Sequence, residues 1–316
     1  MKSRFPCFPF IVPLALFLFS ACSINKLAIN AVSDALTAEG SGEVFTGDSD
    51  PRLVGDAIPF AIKMYEALLS SNPNHQGLIL TTGSLFVMYA NAFVQGPAEL
   101  LPRIQYAERQ AAMERAKKLY LRGAEILYGG LEKKYPGFRE GSRGENFPQI
   151  LAKLKKADVP ALYWSAAGYL SAFSLNPFDM TLGVKIPELM VLVDRAYALD
   201  PDFNNGALDD LLVLAHASLP ESMGGDKSRV ETHFRRSLEK SLGRLAGPYV
   251  SYASAVLIPA QDYEAFKTCL ETALALDPDA DPANRLVNIL AQRKARYLLD
   301  NAGLYFVDYD TGDWDD

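Results

Sequence analysis

Apolar residues recur with a helical period along almost the whole chain, and no segment shows the sustained alternation of a half-buried strand. The periodic runs predict helices over residues 25–38, 53–71, 76–94, 104–134, 147–156, 160–175, 185–199, 205–218, 228–242, 248–257, 260–276 and 283–300. Glycine and proline gather between these runs, and the polar stretches 40–51 and 137–146 read as loops. Two helix starts are marked by their chemistry. Ser228-Arg229-Val230-Glu231 has the form of a capping box, and Asp281-Pro282 sets a cap before a proline in the first turn. The expected fold class is therefore all-α, with about twelve helices.

A long all-helical chain calls for a search for repeats. Ala198-Leu199-Asp200-Pro201 returns as Ala275-Leu276-Asp277-Pro278, with a weaker echo in Ser71-Asn72-Pro73. This is how tetratricopeptide (TPR) units end, because the proline stops the second helix. Trp164, Ala167, Gly168 and Ser171 match the start of such a unit, although Pro201 comes later than a regular repeat would put it. Degenerate TPR-like helix pairs stacked into a curved solenoid follow, since one pair cannot bury its apolar face alone.

The amino terminus has a different pattern. Lys2 and Arg4 precede an apolar run, Ile11 to Phe19, which ends in Ser20-Ala21-Cys22. Pro6, Pro9 and Pro13 interrupt the segment, which is short of the ~20 apolar residues a spanning helix needs. Phe19-Ser20-Ala21-Cys22 resembles a bacterial lipobox with Phe in place of the usual Leu. That reading makes residues 1–21 a removed signal and Cys22 a lipidated amino terminus, carrying diacylglycerol and an N-acyl chain. An ordinary cleaved signal beside an incidental cysteine is the alternative. Cys7 leaves with the signal, so Cys269 stands alone and no disulfide framework holds the domain. Between Phe266 and Leu270, Cys269 reads as a small buried hydrophobe.

Loss of two positive charges with the signal takes the formal net charge from −7 to −9. No basic stripe is present, which argues against a nucleic-acid partner. No nucleophile elbow, phosphate-binding loop or His-Glu-x-x-His motif occurs, so no catalytic or metal residues are expected. His75, His216 and His233 are scattered along the chain; a metal site assembled from distant segments stays open. Gly224-Gly225-Asp226 reads as a tight turn into a capped helix, with an anion site at the helix start as the alternative. Tyr163, Trp164 and Tyr169 could line a cavity for a partly apolar ligand, Trp164 alternatively filling a TPR packing position. Arg293 lies beside the apolar face of the last helix, where its guanidinium could receive a carboxylate or simply pair internally.

Five segments, 48–80, 159–173, 195–212, 219–253 and 271–306, resemble the T-component lipoproteins (TatT family) of TRAP transporters, the tripartite ATP-independent periplasmic uptake systems. The resemblance implies a TPR-like envelope lipoprotein whose partner is the periplasmic solute-binding (P) component. It also implies self-association into a homo-oligomer, a trimer being one option, and a cavity or channel for a small organic acid or amphipathic solute. No cofactor and no catalytic residue carries over from it; Cys22 does, as the lipid anchor. The expected organisation is a signal over 1–21, an acylated start, first helix and loop over 22–52, a helical domain over 53–303 and an acidic tail over 304–316. Ser23, where Asp would favour inner-membrane retention, leans the placement toward the outer membrane, facing the periplasm. Two other readings compete: a structural adaptor for envelope proteins with no small-molecule ligand, and an envelope hydrolase built from the scattered acids and histidines.

Overall fold

The structure is a computed structural model that describes residues 29–38 and 40–307. Among these residues there is no strand. Cys22, the signal segment and the tail beyond residue 307 lie outside the described residues. The chain forms α1 (29–36), α2 (Glu43–Thr46), α3 (Pro51–Ser71), α4 (Gln76–Tyr89) and α5 (Gly96–Glu99). Then come α6 (Tyr106–Lys134), α7 (Phe147–Lys153), α8 (Val159–Leu175), α9 (Met180–Gly183), α10 (Ile186–Leu199) and α11 (Ala207–Ser218). The last are α12 (Lys227–Lys240), α13 (Gly247–Tyr252), α14 (Ile258–Ala260), α15 (Tyr263–Ala275) and α16 (Arg285–Asp300).

Several local expectations need correction. The 40–51 loop contains α2, and the 137–146 loop winds into a 3-10 turn, Phe138–Arg143, that buries Phe138. Gly141 in that turn has φ +57, and the Glu188 carboxylate occupies the space a Cβ would need. Helix α12 begins at Lys227, so Ser228 is not its cap. Asp226 takes that place, accepting from Ser228 N at 3.0 Å and Ser228 Oγ at 2.6 Å. Asp281 precedes a 3-10 turn and accepts from the Asn284 side chain, so α16 starts only at Arg285. Phe306 is buried against Tyr263 and Phe266, which carries the body past residue 303. At the other end α1 belongs to the body: Tyr65 donates to Leu36 O, and Asp34 pairs with His75.

Residues 76–99 are long and apolar enough to cross a membrane by length and composition alone. Packing explains the apolarity instead. Leu78, Phe86, Val87 and Ala90 are buried, and α4 crosses α6 where Gly83 and Gly123 bring the two backbones together. A Cβ on Gly123 would stand 2.6 Å from the Gly83 carbonyl oxygen. Gly168 of α8 admits Val87 and Ala124 to the same junction.

Packing then runs around a circuit. Helix α3 lies on α4, α4 on α6, α6 on α8, α8 on α10 and α11, α11 on α12 and α13, and α13 on α15 and α16. Helix α16 returns to α2 and α3, placing Leu286 in the apolar cluster of Val54, Ile58, Ile62 and Leu78. Polar contacts reinforce the return: Lys294 pairs with Glu99 at 2.8 Å, and Arg285 donates to Gly47 O at 2.9 Å. Two further apolar cores, one spanning α4 to α11 and one spanning α13 to α16, meet at the seam between α11 and α13.

Candidate functional site

The helices that face this seam carry the polar groups. Tyr163 and Trp164 sit side by side on α8 with ring centroids 5.1 Å apart, and Tyr163 also meets Phe203 at 5.2 Å. Both α8 aromatics are half-buried. Asp210 of α11 accepts from Ser251 Oγ of α13 at 3.3 Å through Oδ2. Its other oxygen, Oδ1, is buried with no hydrogen-bond partner, and so is Ser254 Oγ one turn beyond Ser251. Ser254 lies in a π-helical turn, Ala253–Leu257, a distortion that often accompanies functional positions. Burial pushes the Asp210 carboxyl up to about 6, the Ser251 bond opposing it.

A second π-helical turn, Ala90–Gln95, follows α4. Around it Tyr120, fully buried, donates to Gln95 Oε1 at 2.6 Å; Gln95 donates to Glu99, and Glu99 receives Lys294. Burial raises the Glu99 carboxyl, but Lys294 and Gln95 outweigh it and hold it below the usual carboxylate range. The two π turns share a sequence pattern that the search by proline endings missed. Tyr89-Ala-Asn91-Ala-Phe93, Tyr169-Leu-Ser171-Ala-Phe173 and Tyr252-Ala-Ser254-Ala-Val256 place tyrosine, a small polar residue and alanine at one spacing in three helices.

Tyr169 does not join Tyr163 and Trp164. It is buried and donates to Glu125, while Lys185 donates to its oxygen at 2.8 Å. Lys185 Nζ lies 4.0 Å from the ring centres of both Tyr128 and Tyr169, and Tyr128 donates to Glu188 at 2.5 Å. Desolvation pulls the Lys185 ammonium down, with Glu125 and Glu188 opposing. This network is internally paired and fastens α6, α8 and α10 together. Arg293, expected beside the apolar face of the last helix, is exposed; its neighbour Lys294 is the cation that pairs with Glu99. Cys269 is half-buried, its Sγ donates to Tyr249 O, and burial pushes the thiol up to about 12.

The histidines are less scattered than the sequence suggests. His75 caps α4 by accepting from Leu78 N at 3.1 Å. His216 and His233 stack at 5.7 Å, both buried, and His233 Nδ1 bonds Asp209 at 2.7 Å. Asp209 also receives Lys240 at 2.7 Å. Burial would raise the Asp209 carboxyl, yet His233 and Lys240 together hold it below the usual range. No group of three metal-binding side chains occurs among the described residues. Both ring nitrogens of His216 lack a partner. Burial, then Arg229 and His233, depress its protonation below the ordinary 6.5, against Asp194 and Asp226. The unfolded chain therefore takes up this proton first as pH falls, so His216 lowers stability between pH 6.5 and the folded-state value. Melting temperatures measured from pH 7.5 to 5 should fall, and His216→Leu should flatten that slope. An unchanged slope in the variant would refute the assignment.

By architecture the chain is an all-α protein of consecutively packed helices whose last helix returns to α2 and α3. Within that class it belongs to the TRAP transporter T-component family, whose sequence profile matches residues 47–306. A protein of Treponema pallidum (strain Nichols), described only as an uncharacterized protein, is 36% identical, with 96% of this chain and 98% of the relative aligned. The family is a transporter component, not an enzyme family, and its members sit with TRAP systems at the bacterial cell envelope.

Proposed function

We propose that the protein is a lipid-anchored envelope component that docks the solute-binding P component of a TRAP system and holds or passes a small solute between its helices. Membership of the T-component family carries the first part. The reading also takes Cys22 as the acylated residue, the periplasm as the side faced, and a homo-oligomer as the working form. The unpartnered Asp210 Oδ1 on α11 and Ser254 Oγ in the π turn after α13 motivate the solute part of the reading.

A docking face is available on the outside. Met180 of α9, Val184 in the turn that follows, and Pro187 and Val191 of α10 are all exposed, and Phe178, just before α9, is 91% exposed. Exposed apolar side chains that gather into one patch mark protein contacts. Full-length protein purified in detergent should retain a TRAP solute-binding protein from envelope extracts. Val184→Glu combined with Met180→Glu should weaken that retention at least tenfold, while Cys22→Ala should release the complex to the soluble fraction. An intact bait that retains no such protein defeats the docking reading. The adaptor reading, with no small molecule, draws on the same exposed face and survives if retention succeeds while no solute binds.

A further inference from the structure

We infer that the lysine-rich end of the body, where the turn after α3 meets the end of α6 and the turn before α8, rests on anionic phospholipid headgroups. This takes from the proposed function the reading that Cys22 is acylated, and adds which end of the molecule the bilayer meets.

A continuous run of contacts ties this end to the start of the described chain. Asn72, which closes α3, donates to the Asn30 side chain at 2.6 Å, and Lys133 donates to the carbonyl of the next residue, Pro73. Beside it Lys134 pairs with Asp158. Asp158 also accepts from Tyr135 Oη at 2.7 Å and from Lys155 N at 2.8 Å. Lys156 pairs with Asp200 at 3.0 Å, and Lys153 ends α7. Lys133, Lys134, Lys153, Lys155 and Lys156 are all exposed.

The acids among them are already engaged. Asp158 is buried under Lys134, Asp200 holds Lys156, and Glu132 accepts from Gly137 N and Arg139 N. Exposed Asp34 pairs with His75. Lys133, Lys153 and Lys155 therefore have no carboxylate at ion-pair distance among the described residues. The chain as a whole is acidic, with 38 Asp and Glu against 31 Lys and Arg, so this cluster runs against its average.

Chain length selects the partner. Residue 29 is seven positions from Cys22, and seven fully extended residues reach about 25 Å at most. A lipid on Cys22 thus keeps Asn30, and with it Asn72, Pro73 and Lys133, close to the headgroups. That reach exceeds the ~8 Å over which surface charge acts at physiological salt, so the tether alone does not orient the body. Attraction between lysines and an anionic surface does, because the remaining acidic surface is repelled.

The test uses full-length protein with its native amino terminus, reconstituted on vesicles of phosphatidylcholine alone or of equal parts phosphatidylcholine and phosphatidylglycerol. Acetylation rates of individual lysines are read by mass spectrometry. On the mixed vesicles at low salt, Lys133, Lys153, Lys155 and Lys156 should react at least fivefold more slowly than on phosphatidylcholine. High salt should restore them, and exposed Lys227 and Lys267 should not change. In a Lys133→Glu, Lys153→Glu, Lys155→Glu protein the slowing of Lys156 should vanish, whereas Lys118→Glu, Lys227→Glu, Lys267→Glu with the same net charge should keep it. If the first triple variant does not fold, the three glutamine replacements decide. Equal rates on both vesicles overturn the inference while leaving the anchor intact, provided that the protein floats with both. Protection that needs added solute-binding protein instead of phosphatidylglycerol assigns the lysines to an acidic protein and also overturns it. Flotation with the mixed vesicles alone, with the lysines protected, removes the acyl anchor and keeps the lysine contact. Flotation with neither removes both.

Discussion

Replacing Asp209 with alanine should cost about 3–5 kcal/mol, the range seen when one partner of a buried ion pair is removed. Asp209 is fully buried and accepts from both His233 Nδ1 and Lys240 Nζ at 2.7 Å. Without it, the buried His233 Nδ1 loses its acceptor, and Lys240 loses its buried counter-ion and keeps only Pro201 O, Tyr197 Oη and the exposed Asp202. His216, stacked on His233 and already unpartnered, offers no acceptor in compensation unless the pair of rings reorganises. Urea unfolding of the parent and Asp209→Ala proteins, followed by far-ultraviolet circular dichroism, measures the difference. A loss below about 1 kcal/mol would mean that Lys240, which also donates to Pro201 O, and His233 are satisfied elsewhere. Asp209→Asn should recover part of the loss, since the amide oxygen still accepts while the charge is gone.

The second large effect concerns α4 and α6. Alanine is the better helix former by about 1 kcal/mol, so Gly123→Ala would stabilise an isolated α6. In the folded protein the new methyl would lie 2.6 Å from Gly83 O and 2.9 Å from both Phe86 and Val87. Two backbones would have to separate, and overpacking of this kind costs about 1–3 kcal/mol. We expect Gly123→Ala to be destabilising, with Gly123→Val worse, as read by thermal melting. A rise in melting temperature on Gly123→Ala would show that the crossing has slack.

Helix placement was legible because long apolar runs are bounded by proline and polar residues: the expected helices over 53–71 and 160–175 match α3 and α8 within two residues. Caps were less legible. Ser228-x-x-Glu231 satisfies a capping box on paper, but Asp226, two residues earlier, is the stronger acceptor and starts the helix. Glu231 is left to bond Arg235 and Tyr252. The aromatic cluster on α8 was visible in sequence, yet its division was not. Tyr163 and Tyr169 are six residues apart, so they project from different sides of α8, one toward Phe203 and the other toward Glu125. Asp209 and Asp210 are adjacent acids in the sequence with nothing to separate their roles. Only the packing of α11 between α12 and α13 pairs one and leaves the other open. Contacts such as Glu99 to Lys294, 195 residues apart, leave no local trace at all.

The return of α16 to α2 and α3 has a bearing on how the molecule comes apart. In a row of stacked units the outermost ones have a single neighbour and peel away first. Here the Lys294–Glu99 pair and the seating of Leu286 give the terminal unit a neighbour on either side. Opening should thus require a break somewhere in the loop of contacts, with amide protons of α16 exchanging as slowly as those of α6. Cutting that link with Leu286→Asp would turn one cooperative body into a chain with two fraying ends.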